Sequence, residues 1–199
     1  MADFDRVLHF WFGELDRAGT ASDAVRRRWW MKDPQFDDEI RTRFCDDYEA
    51  IVAGEREDWL DTAPGTLAYV IVLDQFARNM FRDTPRMYAA DDRCQRVVLA
   101  ALARGMDAEL PLAMRSFLYM PLMHAEDIAC QERCVELFER IQQASDPALR
   151  SMARGQAKYA ISHRDIVARF GRFPHRNEIL GRESSAEELA FLEQPGSTF

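Results

Sequence analysis

The chain has 199 residues, 47% hydrophobic and 30% charged. That suits one globular domain with a sizeable core and excludes disorder as the default. The formal net charge of -8 argues against general binding to nucleic acid or to an anionic membrane surface.

The opening segment, MADFDRVLHFWFGELD, lacks the basic start and clean apolar stretch of a signal peptide. Phe4, Val7, Leu8 and Trp11 instead form a stripe at helical spacing. Helices are expected near 3–13 and 23–31, with Trp29 and Trp30 turned to the core. Asp33-Pro34 pairs a capping side chain with proline at the first helical position. The stripe Phe36, Ile40, Phe44, Tyr48 and Ile51 then predicts a helix over 34–53. The segment LAYVIVLDQFARNMF is apolar nearly all round, so 64–81 is expected as a central helix. Asp74 and Arg78 fall on the side of Leu67, Val70 and Ile71, four residues apart, where burial demands that they pair. Gln75 and Asn79 make a second such pair.

Thr84-Pro85 predicts a helix over 85–104, and apolar periodicity predicts others over 111–124 and 126–143. Pro121, inside FLYMPLM, frees the carbonyl of Phe117 and is expected to kink or interrupt its helix. His124 follows within a turn, beside Glu126 and Asp127. Asp146-Pro147 predicts a long helix over 147–170, in which His163 shares a face with Met152, Tyr159, Ala160, Ile166, Val167 and Phe170. Arg154, Lys158 and Asp165 lie opposite, so His163 points inward. Short helices are expected over 174–180 and 185–193, and Ser184-Ser185-Ala186-Glu187-Glu188 offers the second a capping box. The last residues, PGSTF, are expected to fray.

No alternating strand or hairpin turn is evident. The fold class is all-α: a single domain of about nine or ten mostly antiparallel helices over 1–199. Residues 1–31 supply N-terminal helices and 183–199 a C-terminal appendage. The longest apolar runs, LAYVIVL and FLYMPLM, are too short to span a bilayer. The four cysteines, Cys45, Cys94, Cys130 and Cys134, contain no CxxC. They are expected as buried free thiols of a reducing, cytoplasmic compartment.

The acidic chain has one basic region. Residues 150–182 hold eight lysine and arginine residues against two carboxylates, a net of +6. Within it, Pro174 puts His175, Arg176 and Asn177 in the first turn of the expected helix. Cations are disfavoured at that positive end, and its free N–H groups attract an anion. Arg172 stands just before it. The anion is either a ligand phosphate or carboxylate, or a protein carboxylate such as Asp74 or Glu126.

The motifs LDQFARN (73–79), FLYMPLMHAED (117–127) and HRDIVARFGRFPHRNEILGRES (163–184) resemble the bacterial domain-of-unknown-function 924 family. The resemblance covers essentially the whole chain. The family has proline where this chain has Ala77, and commonly serine where it has Ala125, so no hydroxyl stands beside His124. The resemblance implies a fold similar to the tetratricopeptide-like helical superfamily, although the repeat signature is absent. It implies no biochemical activity.

The residues lead to a polar core site for a small anionic molecule. His124 and His163 would act as acid and base, and Asp74 would orient a partner. Arg78, Asn79, Gln75, Arg172, His175, Arg176, Asn177 and Glu126 would bind the ligand. The alternative is a tetratricopeptide-like module that clamps a peptide carboxylate, its polar core purely structural. A metal at His124, His163, His175 and a carboxylate is the weakest reading, because these ligands lack paired spacing. No metal or cofactor is assigned.

Overall fold

The computed structural model of the protein describes residues 3–144 and 150–197, apart from the side chains of 144 and 150–152. The described residues are helical, with no strand among them. Asp146-Pro147 and the side chain of Met152 lie outside the described residues. The chain divides into two compact units: Met1–Arg82 with Arg86–Pro121, and Asp83–Pro85 with Leu122–Phe199.

The first unit opens with α1 (Asp5–Phe12) and α2 (Asp23–Arg28). Next comes α3 (Pro34–Ala53), bounded as expected. Asp33 accepts the N–H groups of Gln35 and Phe36, and Gly54 closes the helix at φ 83, a left-handed conformation that glycine adopts without strain. Such an N-cap stabilises a helix by about 1 kcal/mol. After a 3-10 turn over Glu57–Asp61, α4 (Ala63–Ile71) runs into a π-helical turn over Val72–Phe76 and then α5 (Ala77–Met80). From Leu67 to Ala77 every residue is buried, which makes this rod the centre of its unit. Around it Trp11 meets Phe76 and Phe117 edge-on at 5.6 Å each and stacks on Phe36 at 6.2 Å. Each such pair contributes about 0.5–1.5 kcal/mol beyond its area.

The helix expected over 85–104 is two elements. Pro85–Tyr88 is a 3-10 turn, and α6 (Asp91–Ala103) starts anew after it. A further 3-10 turn, Met106–Glu109, leads to α7 (Leu112–Met123), which passes through Pro121 and stops two residues later. The paired tryptophans are also corrected. Trp29 donates its indole N–H to the carbonyl of Trp11 at 2.8 Å, but Trp30 is 64% exposed.

In the second unit α8 (Ile128–Ala144) packs against α9 (Arg150–Phe170). Ala153, Ala157, Ala160, His163 and Val167 line the buried face of α9, while Arg154, Lys158 and Asp165 are exposed. Tyr159, expected beside His163, is 60% exposed. The helix expected over 174–180 is only a 3-10 turn, Pro174–Arg176. The last helix, α10 (Ala186–Leu192), carries the expected capping box, formed by Ser185 and Glu188. Ser197 does not fray: it is buried and donates its hydroxyl to the carbonyl of Leu192 at 3.0 Å.

Candidate functional site

In the first unit the expected Asp74–Arg78 pair forms, at 3.0 Å between Oδ1 and Nη1. Its Asp74 lies in the π turn, and Arg78 follows in α5. Turns of this kind are frequent at functional sites. The Arg78 guanidinium also takes both oxygens of Asp91, at 3.1 and 2.9 Å, and the carbonyl of Asp74 at 3.0 Å. Burial opposes the Arg78 charge, but Asp74 and Asp91 outweigh it and hold the guanidinium protonated. Gln75 donates its amide to Asp74, while Asn79 donates to the backbone carbonyl of Gln75 at 2.8 Å. The second pair is thus side chain to backbone. Asn79 in turn accepts from Arg82, which grips Asp37 through two hydrogen bonds of 2.7 and 2.8 Å.

In the second unit three of the chain's four histidines lie close together: His163 and His175 at Phe173, and His124 beside His163. His163 meets that ring edge-on at 5.6 Å, His175 lies at 5.6 Å from it, and His124 lies 6.4 Å from His163. The Arg176 guanidinium stacks over the same ring at 4.5 Å and donates to the carbonyl of His124 at 3.0 Å. His163 is 6% exposed, and its Nδ1 lies 2.7 Å from the carbonyl oxygen of Tyr159. A carbonyl only accepts, so Nδ1 carries the proton and the basic nitrogen of neutral His163 is Nε2. Burial pulls His163 down to about 3 against the Tyr159 hydrogen bond, helped by His124, Arg176 and His175. Burial, then Arg176, pull His175 down to about 4. Both imidazoles are therefore neutral at neutral pH.

The anion at this turn includes the protein's own. Glu126 accepts the N–H of Phe173 at 2.8 Å and is clamped by Arg182 at 2.6 and 2.9 Å. Burial raises the Glu126 carboxyl, but Arg182 and the Phe173 N–H outweigh it and leave the group below its ordinary value. Arg182 also donates to Asn177 Oδ1 at 3.0 Å, and Asn177 Nδ2 donates to Ser184 at 3.0 Å. Arg172 binds both oxygens of Glu188, at 2.7 and 2.9 Å. The first-turn placement expected for His175, Arg176 and Asn177 thus becomes a short turn with an internal carboxylate beneath it. Asp127, the other acid beside His124, caps α8 by accepting the N–H of Cys130 at 2.8 Å.

The model of the family described as a bacterial protein of unknown function (DUF924) matches residues 7–196. The chain belongs to this family. A solved structure titled "Structure of Protein of Unknown Function ATU0120 from Agrobacterium tumefaciens" is similar, with 37% identity, a TM-score of 0.81 and 96% of each chain covered. No curated protein matches.

In this DUF924 chain the unit-2 cluster brings together His124, His163, His175 and Arg176, with Glu126, Arg172 and Asn177 in the surrounding ion-pair frame. Asp74, Gln75, Arg78 and Asn79 make their own network in the first unit. Sequence reasoning missed Phe173, Arg182 and Gln131. Gln131 is fully buried and donates to the carbonyls of Met123 and Ala125, at 2.6 and 2.7 Å, on either side of His124. Its position on the stripe Gln131, Val135 and Phe138 was a readable sign of a buried amide. Among the described residues no three His, Cys, Asp or Glu side chains are placed to share a metal ion. No described helix is long and apolar enough to cross a membrane. All four cysteines are free; Cys94 and Cys134 are buried, and Cys45 and Cys130 partly so.

Proposed function

We propose that the cluster around Phe173 binds the phosphate or carboxylate of a small molecule, with His163 and His124 available for proton transfer to and from it. The observation that carries this reading is that His163, His175 and the Arg176 guanidinium gather around the Phe173 ring, with His124 6.4 Å from His163. Neutral imidazoles in an apolar setting accept protons readily once an anion arrives, because the anion stabilises the imidazolium. Arg176 supplies a fixed positive charge and planar donors that suit phosphate or carboxylate. His163 Nε2 is then the proton acceptor, oriented by the bond its Nδ1 makes to Tyr159. We place the protein in the cytoplasm, where its free thiols stay reduced.

The second reading is a tetratricopeptide-like peptide-binding module with a structural polar core. It is favoured by the internal pairing of Arg172 with Glu188 and of Arg182 with Glu126. A thermal-shift screen of phosphorylated and carboxylated metabolites separates the two. A ligand at a hundred times its Kd stabilises the folded state by about 2.7 kcal/mol, a rise in Tm of roughly 5–10 °C for a chain of this length. Loss of that shift in Arg176→Ala and in His163→Gln supports the small-anion site. A shift unchanged by both overturns it.

A further inference from the structure

The first unit holds a cleft of about 450 Å³ that the histidine cluster does not involve. One wall is α6 with its C-cap, which lay Arg93, Arg96, Val97, Ala100, Ala101 and, at the cap, Arg104 along it. These positions recur at three- and four-residue spacing, so they form one helix face. The other wall includes Leu60 from the Glu57–Asp61 turn, Thr66 from α4 and Met106. Ala100 and Ala101 leave the middle open because they have almost no side chain. The result is an apolar floor with arginines distributed along it.

Among the described residues, no acidic side chain lines this cleft. Arg93 is neutralised by Glu57, at 2.6 Å, and donates to the carbonyl of Val52 at 3.0 Å. Arg104 is different: its two terminal nitrogens donate to the carbonyls of Leu60 and Asp61, at 2.8 and 3.3 Å. Those carbonyls orient the guanidinium without cancelling its charge. Arg96 has no ion pair or hydrogen bond among the described residues. Two cations therefore stand over an apolar floor, one oriented in advance and one available.

We propose that this cleft binds a small amphipathic anion: a phosphate monoester or carboxylate carried on an apolar chain or ring. The charged head would sit between Arg96 and Arg104, which are eight residues and about 12 Å of helix rise apart. Arg104 would meet the head group where the Leu60 and Asp61 carbonyls hold its guanidinium, and the long Arg96 side chain would reach along the helix toward it. The apolar body would cover Val97, Ala100 and Ala101 on one side and Leu60 and Met106 on the other. The volume lies in the range of small-molecule pockets, about 300–1,000 Å³, and suits a compact ligand better than a macromolecular partner.

Calorimetric titration of the whole protein with hexyl phosphate, hexanoate and 1-hexanol tests this. Saturable binding of hexyl phosphate or hexanoate is expected at least tenfold tighter than that of hexanol, and the two acids show which head group is preferred. Arg96→Gln should weaken the acid by about tenfold, and Ala100→Phe should abolish binding by filling the floor. Arg176→Ala, in the other unit, should leave this binding unchanged, so the cleft stands or falls apart from the histidine cluster. The idea is overturned if the acids bind no tighter than hexanol, if Ala100→Phe binds like the parent, or if Arg176→Ala rather than Arg96→Gln removes the binding.

Discussion

Arg182 holds Glu126 through two parallel hydrogen bonds, Nη1 to Oε2 at 2.6 Å and Nη2 to Oε1 at 2.9 Å, across 56 residues of sequence. The same carboxylate accepts the Phe173 N–H, so a single acid ties the start of α8 to the turn that carries His175 and Arg176. Both side chains are about a quarter exposed, enough burial for an unpaired charge to be costly. Glu126→Gln keeps the shape, removes the charge and leaves Arg182 facing a neutral amide. The expected loss is about 2 kcal/mol of unfolding free energy, read by urea denaturation. A change below about 0.5 kcal/mol would mean that the pair is decorative.

The pH dependence of stability should show two separate limbs. Buried His163 and His175 titrate at about 3 and about 4 in the folded protein, against about 6.5 when unfolded. The unfolded chain therefore binds protons first as pH falls. Stability is fully present above about pH 6.5 and drains away below it. Glu188, held down to about 2 by Arg172 against a weaker effect of burial, acts lower. Its contribution is complete above about pH 4.3, the unfolded value, and is lost as pH falls toward 2. Melting temperature against pH checks both limbs. His163→Gln and His175→Gln should flatten the range from 6.5 to 4.3, and Glu188→Gln the range below it.

Helical phase and capping chemistry made much of this legible before any coordinates. Asp33-Pro34 and Ser185–Glu188 start their helices where expected, because a cap is a local event that needs no distant partner. The inward turn of His163 and the Asp74–Arg78 pair followed from spacing alone. Periodicity says which way a side chain faces and not whom it meets. So Asp91 as the second partner of Arg78, Glu188 as the partner of Arg172 and Arg182 as the clamp on Glu126 were out of reach. The π turn at Val72–Phe76 was hidden for a related reason: one extra residue in a turn leaves an all-round apolar pattern unchanged. Thr84-Pro85 has the composition of a cap, but proline also starts a 3-10 turn, which is what forms there.

Asp74 and Asp91 share the Arg78 guanidinium, and the Arg78, Asp74 and Asp91 side chains are 16%, 1% and 10% exposed. Arg78→Met removes the cation and leaves two carboxylates close together under cover. A loss of about 3–5 kcal/mol is expected, with a rise in the pH at which the protein is most easily unfolded by acid. Asp91→Asn should cost less, about 1–2 kcal/mol, because Asp74 still compensates the arginine. Equal costs for the two variants in guanidinium denaturation would show that the network does not share its charge in this way.

Two glycines should respond to alanine in opposite directions. Gly65 lies in the first turn of α4, where an added Cβ would meet the backbone carbonyl oxygen of Trp59 at 2.3 Å. A carbonyl fixed in a turn cannot swing aside as a side-chain tip can, so the Glu57–Asp61 turn must shift. Gly65→Ala is expected to destabilise by about 1–3 kcal/mol. Gly155 lies inside α9 with nothing within 4 Å of the position a Cβ would take. Alanine there costs no space and narrows the unfolded ensemble, so Gly155→Ala should stabilise by about 0.5–1 kcal/mol. For a chain of this length each kcal/mol moves the melting temperature by roughly 2–4 °C, so paired thermal melts resolve both effects. A Gly65→Ala protein that melts with the parent would show that the close approach of Trp59 to α4 relaxes freely.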